Sequence, residues 1–158
     1  MIDSSMPSAQ PAIEQLDDQP SLFMGVTGGV IAMLVGAILW GAITFYTGYQ
    51  IGWVAIGIGF LVGIAIKFFG KGKSASFGFS AAVLSLIGCV IGNLLVYSAV
   101  IARAEEVPFL RVFLLLLRTP TAAVEVFTLA FDFMDILFYT LAAYTGFSTA
   151  MDMKRSRR

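Results

Sequence analysis

Seven residues near the end of the chain, Thr121, Glu125, Thr128, Asp132, Asp135, Tyr139 and Gly146, follow one another at spacings of 4, 3, 4, 3, 4 and 7. On a single α-helix these positions fall within a sector of about 80°. Their surroundings are Phe, Leu, Ile and Val. The pattern predicts one polar stripe, Glu125, Thr128, Asp132, Asp135 and Tyr139, on an otherwise lipid-compatible helix. Three kinds of chemistry fit such a stripe. It can be structural, hydrogen-bonded to Asn93, Ser85, Thr44 or Tyr97, or paired with Arg103, Arg111 or Arg118. It can dock another protein that completes it. It can handle protons or cations, because two carboxylates one turn apart repel and one of them can hold its proton.

Magnitudes limit the choice of surroundings. Each Asp at the centre of a span costs about 2.5–3.5 kcal/mol, and each Leu, Ile, Phe or Val returns about 0.3–0.6 kcal/mol. Residues 124–147 hold 11 such apolar residues. The helix alone therefore roughly breaks even, and its polar face must meet protein or water rather than lipid.

The elements that must position this stripe are membrane-like. Of 158 residues, 58% are hydrophobic and 13% charged, with mean hydropathy +0.88; soluble domains average about 25% charged. Runs at 23–46, 51–69 and 77–102 each have 19 residues or more, enough to cross about 30 Å of hydrocarbon. The segment 107–118 is too short to span and carries Arg111, which predicts an interfacial or re-entrant helix. Pro120 suits the first turn of a new helix over 121–150. The turn TGYQ at 47–50, flanked by Tyr46 and Trp53, predicts a tight hairpin at the membrane surface.

Charge sets the orientation. Lys67, Lys71 and Lys73 lie between the second and third runs, and Lys154, Arg155, Arg157 and Arg158 close the chain. Positive segments favour the cytoplasm. Both then lie inside, so an even number of crossings separates them and the acid-bearing helix is the second of the pair. The reading is an all-α integral membrane four-helix bundle, residues 23–150, with a short external helix at 107–118. An acidic, flexible cytoplasmic segment (1–22) precedes it and a basic cytoplasmic tail (151–158) follows. Small residues recur along the first three spans: Gly25, Gly29 and Gly36, then Gly59 and Gly63, then Gly88 and Gly92. At these spacings they predict close helix packing in lipid.

Several functions are excluded or disfavoured. The chain has no histidine and a single cysteine, Cys89, so a disulfide, a thiolate metal site and the Ser-His and Cys-His devices are absent. Carboxylate oxygens alone could serve Mg²⁺ or Ca²⁺, a weaker expectation than no metal at all. GKGKS at 70–74 lacks the spacing of a phosphate loop. No basic stripe is interleaved with aromatics for nucleic acid. LIGC at 86–89 resembles a lipoprotein cleavage box but sits mid-chain, and the N-terminus lacks a basic leader.

The stretches TGYQIGWVAIGIGFLVGIAI at 47–66 and MDILFYTLAAYTG at 134–146 resemble a loose group of small bacterial four-span membrane proteins with a glycine-rich hairpin and an acid-bearing last helix. The resemblance implies a bacterial inner membrane location and carries no activity with it. The expected function is a non-enzymatic subunit or accessory protein of a larger membrane complex, without cofactor. Its partners would be other membrane subunits or a second copy, together with lipid. The alternative is a small oligomeric proton- or cation-coupled channel or transporter built on Asp132 and Asp135. A lipid-modifying enzyme is a third and weaker reading, given the lack of histidine and the few polar groups.

Overall fold

The computed structural model describes residues 20–48, 52–72 and 74–151; the acidic N-terminal residues up to 19, Lys73 and the basic tail from 152 lie outside them. Six helices form, α1 Leu22–Thr47, α2 Gly52–Gly70, α3 Ala75–Ala104, α4 Phe109–Arg118, α5 Pro120–Ala130 and α6 Phe133–Met151, with no strand among the described residues. Ser21 caps α1 by accepting from the Met24 N–H at 3.4 Å. Gly48 ends it at φ 71°, a left-handed position that glycine occupies without a Cβ clash, and its N–H donates to the Thr44 carbonyl.

Three helices are long and apolar enough to cross a membrane: Leu22–Thr47, Trp53–Gly70 and Ala75–Ala104. The pair α4 and α5, bent by 107° at Thr119, would make a fourth as a broken span or form a re-entrant loop. Pro120 stands in the first turn of α5, where its missing N–H is not needed.

The expected helix over 121–150 is not continuous. It breaks at Phe131 and Asp132, with Phe131 in an extended conformation. The break changes the expected stripe. Thr121, Glu125 and Thr128 belong to α5, whereas Asp135, Tyr139 and Gly146 belong to α6, so they no longer share one helix face. The physical reason lies in the acids. Aspartate competes with helix continuation by bonding nearby backbone N–H groups, and the break exposes the N–H groups that Asp132 and Asp135 bind.

Helices α1, α2, α3 and α6 pack on one another, with α6 seated on α2 and α3. The Ser21 N–H donates to the Gly70 carbonyl, and a Cβ on Gly78 would meet Met151. The start of α1, the end of α2, the start of α3 and the end of α6 therefore lie together, beside Lys71. Large apolar side chains such as Ile31, Ile38, Phe60, Phe68 and Phe79 point outward, while the interior holds Ala37, Ala55, Ala81, Ser85, Asn93 and Asp135. The larger interior members are Trp40, Ile58, Val62 and Ile66.

Gly25, Gly29, Gly36, Gly59, Gly63, Gly88 and Gly92 are all buried between helices. The closest approach is at Gly59, where an added Cβ would collide with the Ala142 carbonyl oxygen of α6. Backbone cannot yield as a flexible side chain can, so Gly59→Ala is expected to destabilise the fold by about 1–3 kcal/mol. Gly57, on the same helix but open to its surroundings, provides the control: Gly57→Ala should not lower the unfolding midpoint in detergent, because an open helical site gains from the change. Equal midpoints for both variants would refute the close packing of α2 on α6.

Candidate functional site

The site is built around Asn93. It lies eleven residues before the end of α3, about 16 Å of helix rise, and is fully buried. A buried amide must satisfy both its donors and its acceptor. The Asn93 Oδ1 accepts from the Trp40 indole Nε1 at 3.0 Å. Its Nδ2 donates to the Tyr139 hydroxyl oxygen at 3.0 Å and to Asp135 Oδ1 at 3.3 Å. One side chain thus ties α1, α3 and α6.

Asp135 is 0% exposed. Its second oxygen, Oδ2, accepts from the backbone N–H of Asp132 at 3.0 Å. Asp132 in turn takes the Phe133 N–H on its Oδ1 at 2.6 Å, and its carbonyl accepts from the Asp135 N–H at 3.0 Å. The third-residue side chain reaching back to the N–H of the residue before the helix is half of a capping box. The start of α6 supplies unsatisfied N–H groups and the positive end of its dipole to both acids. Among the described residues the carboxyl of Asp135 is therefore held by two donors and no cation. Arg103, Arg111 and Arg118 are exposed and form no ion pair among the described residues.

Aromatic rings sheath this cluster. Tyr97 meets Phe127 edge-on at 6.1 Å, Phe127 lies 5.5 Å from Phe131, and Phe131 meets Tyr139 edge-on at 6.0 Å. The Tyr97 hydroxyl is buried and has no hydrogen-bond partner among the described residues.

Of the remaining stripe residues, Asp132 touches Asp135 through its backbone while Glu125 and Thr128 lie apart on α5. Glu125, Thr128 and Asp132 are exposed, and the Thr128 hydroxyl donates to the Glu125 carbonyl at 2.9 Å. Of the candidate partners named from sequence, Asn93 bonds the acid, Ser85 donates to the Ala81 carbonyl within its own helix, and Thr44 lies buried on α1. Gly146 packs against Ala81 and Ser85 of α3. Trp40 joins the cluster from outside the residues that the sequence pattern predicts. Its signal was an indole N–H well inside an apolar run, a group that needs an acceptor once buried. No cluster of three potential metal ligands exists among the described residues.

No protein-family model, curated protein or solved structure matches the chain. What the geometry offers is a buried carboxyl on α6 hydrogen-bonded to α3, and two exposed carboxylates, Asp132 at the start of α6 and Glu125 on α5.

Replacing Asn93 by Ala strands the Trp40 N–H, the Tyr139 hydroxyl and one carboxyl oxygen together. An expected loss of about 2–4 kcal/mol follows from the cost of leaving buried polar groups unpaired. Trp40→Phe removes the same indole donor together with one of its two rings, and should also destabilise. In the double variant the two losses should not add, because both remove the same bond. Full additivity in detergent unfolding would show that the indole and the amide are not coupled.

Proposed function

We propose that the chain is a multi-pass membrane protein, a four-span bundle that acts as a non-enzymatic subunit or accessory protein of a larger membrane assembly. The membrane placement is supported by the apolar outer face. Phe60, Phe68, Ile31 and Ile38 face outward, while small and polar residues such as Ala37, Ala55, Ser85, Asn93 and Asp135 share the interior with Trp40, Ile58, Val62 and Ile66. Packing through small residues is what helices use where lipid gives no hydrophobic drive between them, and a surface this apolar would be unusual on a soluble monomer.

The observation that carries the subunit reading is Glu125. It is exposed on α5, a helix with no buried residue of its own, and it forms no ion pair among the described residues. A carboxylate on a helix at or near the lipid calls for a basic or polar partner, or for water. A partner helix beside α5 would complete it. The common end shared by the start of α1 and the end of α6 lies with Lys71, which favours a cytoplasmic position for that end. The resemblance of the hairpin and last helix to small bacterial membrane proteins favours the inner membrane.

A second reading has its own observation. Asp135 is fully buried with no cationic partner among the described residues, as in acids that carry protons or cations through membranes. A channel or transporter would lose its ion flux in proteoliposomes on Asp135→Asn.

The two readings separate on the particle extracted gently from its native membrane. A subunit should leave in a heteromeric particle well above the mass of the chain, and Glu125→Lys should release it while the isolated chain keeps its unfolding midpoint. A particle containing this chain alone, unchanged by Glu125→Lys, would overturn the subunit reading.

A further inference from the structure

The pair α4 and α5 forms a hairpin whose two ends lie at one side of the bundle. Helix α4 starts just past α3, where the Val107 N–H returns to the Ala102 carbonyl. The end of α5, Leu129 and Ala130, stands beside Gly48 and Val100, again at the end remote from Lys71. Between these ends the chain dips inward. Leu116, Ala122 and Ala123 share an apolar cluster with Leu94, and Ala123 and Val124 line a groove with Val90 and Leu94 of α3. Phe77 marks the other end of α3, packed beside Gly70. In the membrane placement proposed above, hydrocarbon of about 30 Å takes roughly 20 residues of helix, from Phe77 to the level of Tyr97. Val90 and Leu94 come short of that level. The bend at Thr119 therefore sits below the lipid–water boundary, and the hairpin is re-entrant.

Its exposed charges are sorted between its arms. Positions 111, 118, 125 and 132 are seven residues apart and read Arg, Arg, Glu, Asp. Arg111 and Arg118 form one exposed ridge of α4, within about 20° of each other, and turned away from the buried Val112 and Leu116. Glu125 is exposed on α5, and Asp132 stands exposed just past its end. None of the four forms an ion pair among the described residues. An arginine can snorkel from this depth to the headgroups, but a glutamate is too short to follow. Bare lipid therefore suits the cationic arm better than the acidic one. The arms are complementary in charge, yet no ion pair joins them within one chain. A two-fold axis along the membrane normal would join them across two chains. It keeps both copies in the same orientation and exchanges the arms, so that α4 of each copy lies on α5 of the other. We propose that the hairpin is a self-association surface whose occupant is a second copy of this chain. Arg118 of each copy pairs with Glu125 of the other, and Arg111 with Asp132 nearer the membrane surface. Thr121, exposed between residues 118 and 125, comes close to the axis. This rests on the reading that a partner helix completes Glu125, and names that helix as α4 of a second copy; a larger assembly then holds the chain as a dimer.

Charge exchange tests it in the full chain in lipid vesicles, with energy transfer between fluorescently labelled copies as the readout. Arg118→Glu alone sets acid against acid, and Glu125→Arg alone sets cation against cation. Each variant should associate at least about tenfold more weakly than the unmodified chain. Mixed together, the two variants meet as acid with cation at both pairs, so transfer between them should return. A folding defect is not cured by mixing. Association of either variant at the unmodified strength overturns the pairing, and so does a mixture as weak as its components. A gently extracted native particle that holds one copy among other proteins overturns the second copy and leaves the subunit reading standing. One copy alone overturns both. A further measurement needs no charge change. In a Cys89→Ser background, a short bis-maleimide should join Thr121→Cys copy to copy at least about tenfold faster than Ala42→Cys, which stands at an exposed position on α1. Equal rates would refute the interface.

Discussion

The Asp135 carboxyl, held by the Asn93 amide on one oxygen and the Asp132 N–H on the other, constrains the rest of the structure. A carboxyl removed from water must find donors or a cation, and among the described residues no cation pairs with it. The donors come from two sources with different geometric demands. Asn93 fixes how α6 is rotated against α3. The Asp132 N–H is free only because the helix stops before it. The break at Phe131 and Asp132 and the seating of α6 thus answer the same requirement.

Trp40 extends that requirement to α1. With its indole N–H committed to Asn93, the first helix is held in register by a directional bond in an interface otherwise made of small apolar contacts. Dispersion between small residues is strong in sum but weakly directional. The hydrogen-bonded cluster supplies orientation, and the glycine and alanine faces supply proximity. Gly59 shows the division: it lets α2 approach the α6 backbone as closely as atoms allow, but it does not fix how far α6 slides along α2. The polar cluster, which ties α6 through Asn93 to α3 and α1, sets the register of α6 against those helices.

Much of the architecture was legible in composition. Three long helices match their apolar runs within two residues at each end, because uniform hydropathy over 19 residues or more leaves few alternatives. The turn before Pro120 was legible from proline chemistry. The broken last helix was not, and the reason is specific. A period of 3.6 places Glu125, Asp132 and Asp135 on one face whether or not the helix continues. Yet Asp132 followed three residues later by Asp135 is also the spacing of a capping box, a signal for a helix start. Periodicity and capping gave opposite instructions, and burial of Asp135 decided between them. Asn93 and Tyr97 stood among the candidate partners for the acids. Trp40 was hidden because tryptophan in a span is ordinarily associated with the interface.

The position of Asn93 in the chain has a consequence for how the protein is made. A translating ribosome delivers α1 and α3 before α6, so the indole and the amide emerge before the carboxyl they anchor. The segment that begins α6 roughly breaks even with lipid by itself. It emerges with a ready acceptor site already laid out by earlier helices. The order of residues along the chain is thus also an order of assembly, in which the least lipid-soluble segment enters last, onto a template.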